Sequence, residues 1–392
     1  MSTNIQQKEV VFNHLVMEGD SYRIGMMQGQ MLRRNRERYP FLTSLPPGAK
    51  KPSKHEVRDA MKFFDNYYPG INDEIRGVAD ELRLPVDSMS YYVFGYSTKP
   101  NMSSNSGKCS QFAVNSLASS NGHSYVGCSY DLHPDYNELR LCTTRIKGKA
   151  SHIGFSEDLF GRADGINEHG LCVTTTSTVG HGFEYHAVVR TILDQCKTVD
   201  EAYEVINAIP TSHYHNYIIA DKHGSAALIE LARSRNCIKR LELPFDEVLL
   251  ISTNHYTLPD MLQFDTNRRL QSVVRYEAIK SHLEDAIPKI SKKTIRDLLS
   301  EPMPKGTCCH HYEDFLGTLW AMIFDLNDRN VEICFGAPSR NKWTQFGLRD
   351  PVGQREYAAT LPYEPANPGI WRKMQPGEDL SAQDLKLFRN NI

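Results

Sequence analysis

Residues 109–131 read Cys-Ser-Gln-Phe-Ala-Val-Asn-Ser-Leu-Ala-Ser-Ser-Asn-Gly-His-Ser-Tyr-Val-Gly-Cys-Ser-Tyr-Asp. The alternation and the Ser119–Gly122 turn signal predict a strand, a tight turn and a second strand that ends in an acid. A thiol at the first position of such a hairpin has a specific use if the chain is cut just before it. One residue would then carry two catalytic groups, the thiol as nucleophile and a new α-amine as its base.

The texture of the chain changes at this cysteine. Before it, residues 1–108 read as an N-terminal helical segment. Ser21–Arg33 puts Ile24, Met27 and Met31 on one face, with Gly25 and Gly29 sharing a face that allows close packing. Lys51–Tyr68 and Ile71–Leu84 predict two more helices, the last stopped by Pro85. The stretch Pro100–Lys108 is rich in Asn, Ser and Gly, which predicts an exposed, cleavable segment. After Cys109 come short strands with turn signals: Ser124–Ser129, Leu139–Ile146, Gly170–Ser177, Tyr217–Ala220 with Ala226–Leu231, Val248–Thr253, and Trp320–Asp325 with Val331–Phe335. Helical patterns interrupt them at His186–Ala208 and Asn267–Ala286. The tail from Pro362 to Pro376 reads as extended. Strand hairpins with segregated helices predict an α+β sandwich of sheets covered by helices.

Composition narrows the function classes. The 392 residues carry a net charge of −2, with 40% hydrophobic and 23% charged residues. That balance gives no electrostatic footprint for nucleic acid or a membrane surface. No apolar run approaches the ~18 residues that would span a bilayer. The polar N-terminus shows no secretory h-region. Nine cysteines, an odd number, then argue for reduced thiols and a cytoplasmic location.

A free thiol, with a pKa near ~8.5, needs help to ionise, and a free α-amine, at about 7.7–8.0, can take the proton. Cys109 would attack an amide or thioester carbonyl, but a buried small hydrophobe is the commoner fate of one cysteine. Asp131 could orient the α-amine by a hydrogen bond, or simply serve the turn before Pro134. The Thr/Ser end of 164–177, at Thr176 and Ser177, could aim backbone N–H groups at an oxyanion, or be a plain strand edge. Asn254 ends the apolar strand Leu250–Asn254 and could donate to a tetrahedral intermediate, or form an Asx turn.

Taken in order, Cys-Ser-Gln-Phe-Ala at 109, Asn-Gly-His-Ser-Tyr-Val-Gly-Cys-Ser-Tyr-Asp ending at 131, Gly-Ile-Asn-Glu-His-Gly-Leu at 165 and Ser-Thr-Asn-His-Tyr at 252 resemble a known group. It is the acyl-coenzyme A:6-aminopenicillanate acyltransferase-like family of N-terminal-nucleophile hydrolases, related to choloylglycine hydrolases. The resemblance also takes in Asp20–Gly29, Phe315–Asp325 and Cys334–Pro338. It implies a four-layer αββα sandwich, autocatalytic cleavage between Lys108 and Cys109, and action on linear amides through an acyl-thioester intermediate. Cleavage would leave a small chain, 1–108, and a catalytic chain, 109–392, that stay associated as one globular unit. By position, Cys109 matches the nucleophile, Asp131 its orienting acid and Asn254 the oxyanion amide. The backbone at Thr176 and Ser177 matches the second donor. Arg269, or equally Arg268, falls near a family polar position, the alternative for both being a helix-surface charge.

Two departures stand out. The bile-salt branch carries an arginine where this chain has Cys128, and the acyltransferase branch has Gly where this chain has Lys108. Cys308-Cys-His-His311 resembles a metal cluster, but adjacent ligands suit tetrahedral zinc poorly, so no metal is expected. No cofactor is required. The expected substrate is a small N-acyl amine or amide, hydrolysed by water. Transfer to an amine, with a coenzyme A thioester as partner, is the first alternative. An uncut, non-catalytic binding protein of the same fold is the second.

Overall fold

The computed structural model describes residues 6–35, 37, 53–87, 89, 109–157, 159–177, 185–209, 214–232, 235–241, 247–266 and 268–388. Two sheets lie face to face. The larger runs, in spatial order, Arg235–Leu241, Ala226–Ala232, Tyr214–Ala220, Cys172–Ser177, Gly165–Asn167, His152–Glu157, Arg140–Ile146, Gln6–Gly19 and Gly353–Tyr363. The smaller runs Leu249–Ser252, Ser110–Val114, Tyr125–Asp131, Leu316–Asp325, Asn330–Phe335 and Trp343–Gly347.

Strand alternation sorts the core into three slabs. Ala113, Val126, Met322 and Phe324 of the smaller sheet meet Leu141, Phe155, Ile166 and Ile218 of the larger. Their neighbours in sequence turn the other way. Phe112, Val114, Ala321 and Ile323 pack under Ile279, Leu283, Ile295 and Leu298, from the helices Leu270–Glu284 and Lys292–Ser300. On the far side Leu15, Val173, Tyr217 and Ile219 pack against Ile24, Ile75, Val188 and Ile192, from the helices Ser21–Arg34, Ile71–Leu82 and Tyr185–Gln195. The order is helix, sheet, sheet, helix: an αββα sandwich, as expected. Strands covered on both faces explain the near-continuous apolar runs. Each fully buried Phe, Leu or Ile side chain contributes roughly 1.5–3 kcal/mol.

The shared glycine face of the first helix is used. A Cβ on Gly25 would stand 2.1 Å from the Glu74 carbonyl oxygen, and one on Gly77 would stand 2.1 Å from that of Tyr22. The two helices cross backbone against backbone, which only glycine permits.

Several expectations need correction. Residues 1–108 are not simply helical: Gln6–Gly19 is a long strand. It pairs antiparallel with Gly353–Tyr363 and parallel with Arg140–Ile146. Its polar first half, over an edge-like partner, hid its Phe12–Met17 core. The hairpin connection is longer than a tight turn. Val114 pairs with Tyr125, so the loop spans 115–124. The Asn115 side chain accepts from the Leu117 N–H at 3.0 Å, and the Ser120 N–H bonds the Ile290 carbonyl. The helical stretch His186–Ala208 is two helices, Tyr185–Gln195 and Val199–Ala208, the second capped by Thr198. The tail is not extended throughout: Pro368–Trp371 forms a 3₁₀ turn and Ile370 and Met374 are buried. Among the described residues no helix is long and apolar enough to cross a membrane.

Candidate active site

Cys109 immediately precedes the strand Ser110–Val114 and is buried. The strand's two faces carry different chemistry. Gln111 points to the other sheet, accepting from Thr174 Oγ1 at 2.6 Å and donating to the Asn216 carbonyl at 3.2 Å. Ser110 points to the helix layer and accepts from Arg275 at 2.8 Å. Gly127, opposite Phe112, must lack a side chain, because a Cβ there would stand 2.2 Å from the Phe112 ring.

Arg275 is the centre of the site. It is fully buried on the helix Leu270–Glu284. One Nη1 donates to the Cys109 carbonyl and to Ser110 Oγ, both at 2.8 Å. Nη2 donates to Asn254 Oδ1 at 2.8 Å and also to Gln271 Oε1. Nη1 also stands 3.6 Å from Asp131 Oδ2. A planar fork of fixed donors is what lets one cation hold a backbone carbonyl, a hydroxyl, an amide and a carboxylate together.

Asp131 is fully buried and closes the second strand of the hairpin. Its Oδ1 accepts from Thr318 Oγ1 at 2.7 Å. A register shift between Thr318 and Trp320 brings Thr318 opposite Asp131, a bulge of the kind that re-aims a side chain beside a site. Burial, followed by the Asp131 charge, pushes the Cys109 thiol up. The Asp131 backbone N–H and Arg275 offset this only partly. In the intact chain Cys109 is a protonated thiol.

Asn254 is held from three sides. Its N–H donates to Ser272 Oγ at 2.8 Å, its Oδ1 accepts from Arg275, and its Nδ2 donates to the Ser177 carbonyl at 2.7 Å. A donor on one side and an acceptor on the other fix which way the amide points. Ser272 Oγ lies 2.8 Å from His255 Nδ1, and burial keeps that imidazole neutral, its pKa well below the usual value. Thr176 Oγ1 donates to the Thr253 carbonyl at 2.6 Å. Thr176 and Ser177 thus do meet Asn254 and its strand, but Ser177 faces the amide with its carbonyl, as the acceptor that orients it.

The arginine that the structure places on the Cys109 carbonyl is neither Arg269 nor Arg268. Arg269 is the N-cap residue of its helix and donates to the Trp371 carbonyl at 3.2 Å. Arg268 lies 3.7 Å from Asp265. The arginine on Cys109 is Arg275, further along the same segment. Its signal was faint: an arginine amid the apolar face of Val273, Val274 and Ile279, where a lone charge requires a buried partner. Lys108 and the stretch Pro100–Lys108 lie outside the described residues.

The other flagged residues take ordinary places. Cys128 packs between the sheets. Phe112 lies in the helix-side slab, and Tyr256 is buried with its hydroxyl on the Leu231 carbonyl. Tyr130 is half-buried and stacks on Trp320 at 4.1 Å, which stacks in turn on Phe155 at 3.8 Å. Cys308 and His310 bond each other rather than converge on a common centre. Among the described residues His123, Asp325 and Asp328 bring ligand atoms within 4.8 Å of one another. Lys292 Nζ already sits 3.0 Å from Asp325 Oδ2.

A family model described as acyl-coenzyme A:6-aminopenicillanic acid acyl-transferase matches residues 117–340, more than half of the chain. No curated protein matches the chain. Among solved structures it is similar to a penicillin V acylase from Agrobacterium tumefaciens, at 14% identity and TM-score 0.41, over 63% of this chain and 90% of that one. A variant of the conjugated bile acid hydrolase from Clostridium perfringens matches at 11% identity and TM-score 0.42, over 64% and 98%. An N-acylethanolamine-hydrolyzing acid amidase ortholog from Caenorhabditis elegans matches at 16% identity and TM-score 0.39, over 56% and 93%. The matched segment contains Asp131, Thr176, Ser177, Asn254 and Arg275 and begins just after Cys109. The chain belongs to the acyl-coenzyme A:6-aminopenicillanic acid acyl-transferase family.

Proposed function

We propose that this protein is an autoprocessed N-terminal-cysteine amidohydrolase that cleaves the linear amide of a small N-acyl compound. Breaking the bond after Lys108 releases the α-amine of Cys109. That amine takes the thiol proton, and the thiolate attacks the substrate carbonyl. Asn254 Nδ2 donates to the oxyanion. Collapse gives an acyl-thioester on Cys109 and returns the proton to the departing amine. Water, activated by the same α-amine, then releases the acid. Asp131 holds the new ammonium, and Arg275 holds the Cys109 carbonyl so that the thiol does not wander. Tyr130, half-buried beside Asp131, offers an aromatic wall to an apolar acyl group.

What carries the reading is one observation: a single buried guanidinium joins the Cys109 carbonyl, the Asn254 amide and the Asp131 carboxylate. The fully protonated thiol of the uncut chain fits a zymogen that lacks its base. The strand Gln6–Gly19, hydrogen-bonded on both edges into the larger sheet, supports two cleavage products that remain one body.

The test is turnover of a panel of N-acyl amines, with acid quenching and peptide mass spectrometry of the Cys109 peptide. Acid product plus an acyl adduct on Cys109, both lost in Cys109→Ala, is expected. Turnover that persists in Cys109→Ala, or binding with no turnover, overturns the reading. Adding an amine acceptor or a coenzyme A thioester shows whether transfer competes with water.

A further inference from the structure

Outside the Cys109 site, a second thiol has the neighbours that Cys109 lacks. Cys308 Sγ lies 3.4 Å from His310 Nε2, and His310 Nδ1 lies 3.0 Å from Glu364 Oε1. Ser339 Oγ completes a triangle with thiol and ring, 3.5 Å from the sulfur and 2.7 Å from Nε2. Thiol, imidazole and carboxylate are therefore hydrogen-bonded in sequence, with a hydroxyl against both thiol and ring. Burial raises the thiols of Cys109, Cys128, Cys172, Cys309, Cys334 and, to about 12, Cys196. Among the described residues none of those six has an imidazole within hydrogen-bonding distance.

We propose that Cys308 is a second nucleophilic thiol of this chain, a site of oxidation by hydrogen peroxide, with His310 as its base and Glu364 as the group that orients it. Burial alone would discharge the imidazole. The hydrogen bonds to Cys308 and Glu364 outweigh it and lift His310 to about 9. The groups that face the pair are His311, Tyr312, Cys309 and Cys334.

In the reaction the Cys308 thiolate attacks one peroxide oxygen and the O–O bond breaks. The departing hydroxide takes the proton held on His310 and leaves as water. Sulfur is oxidised to the sulfenic acid and the peroxide is reduced. Cys308 is only 1% exposed, which restricts the reagent to something as small as peroxide. The modification would be felt at the first site. The next residue, Cys309, donates its N–H to Thr318 Oγ1 at 2.9 Å, and Thr318 donates to Asp131.

The test treats the native full chain with hydrogen peroxide, removes the oxidant with catalase, unfolds the protein and alkylates the remaining thiols with N-ethylmaleimide. Peptide mass spectrometry then follows each cysteine separately. Cys308 should lose its free thiol about tenfold faster than Cys128, Cys172 or Cys334. His310→Gln should bring its rate down to theirs. Loss at the same rate as those three, or a rate unaffected by His310→Gln, overturns the proposal. Should His310→Gln fail to fold by circular dichroism, the unmutated chain decides. A Cys308 rate in that chain no faster than those of Cys128, Cys172 and Cys334 overturns the proposal as well.

Discussion

Cys109 and Cys308 are both buried thiols beside the same smaller sheet, joined through Cys309, Thr318 and Asp131. Their surroundings differ in one respect. Cys109 faces an arginine and a carboxylate; Cys308 faces an imidazole backed by a carboxylate. An arginine never gives up its proton and so cannot serve as a base. An imidazole can serve at once. On the proposed reading, Cys109 is positioned but not activated in the intact chain, and the missing part is a proton acceptor.

The strongest way to break this comparison is to remove the arginine. Arg275→Met leaves Asp131 buried without its cation and should cost about 3–5 kcal/mol in urea unfolding. Arg275→Lys should recover only part of this, since an ammonium lacks the fork. A wild-type stability in Arg275→Met would mean that the cluster is not an ion network. Next comes Asn254→Ala. It should lower kcat by roughly 10²–10³ with KM little changed, read in steady-state kinetics of processed enzyme.

Gly127→Ala tests the floor under the Cys109 hairpin. The added methyl meets the Phe112 ring, and about 1–3 kcal/mol should be lost. Gly127→Ala combined with Phe112→Leu should regain part of it, measured by thermal unfolding. The smallest effect sharpens the other half of the comparison. His310 has a folded pKa of about 9, raised from the usual 6.5 of an imidazole. A raised histidine stabilises the fold fully below its unfolded pKa and ceases to as pH rises through the folded one. The stability advantage of wild type over His310→Gln should therefore be largest below pH 6.5 and fade toward pH 9. Urea midpoints of the two proteins across that range check it.

Much of the fold was legible because many inner strands carry apolar side chains on both faces. Those runs stood out wherever turn residues bracketed them. The strand Gln6–Gly19 was not legible, because its first residues are polar and its partners lie at 140–146 and 353–363, far off in sequence. Cys109, Asp131 and Asn254 could be singled out from local motifs at strand ends, and the structure brings all three to Arg275. Arg275 could not, since its role depends on a helix laid across the strand end by packing of Ile279 and Leu283. Thr318 reaches Asp131 through a bulge, which a strand pattern does not announce. Cys308 and His310 were read together as a failed metal site. Their meaning comes from Glu364 and Ser339, which only the fold brings near.

The central claim is that Cys109 acquires its base by cleavage of the bond after Lys108. Intact-mass spectrometry of freshly purified wild type and Cys109→Ala tests it most directly. The account predicts two fragments breaking between Lys108 and Cys109 in the wild type, co-eluting under native conditions, and a single full-length chain in the variant. A wild type that stays full length while turning over N-acyl substrates would contradict it.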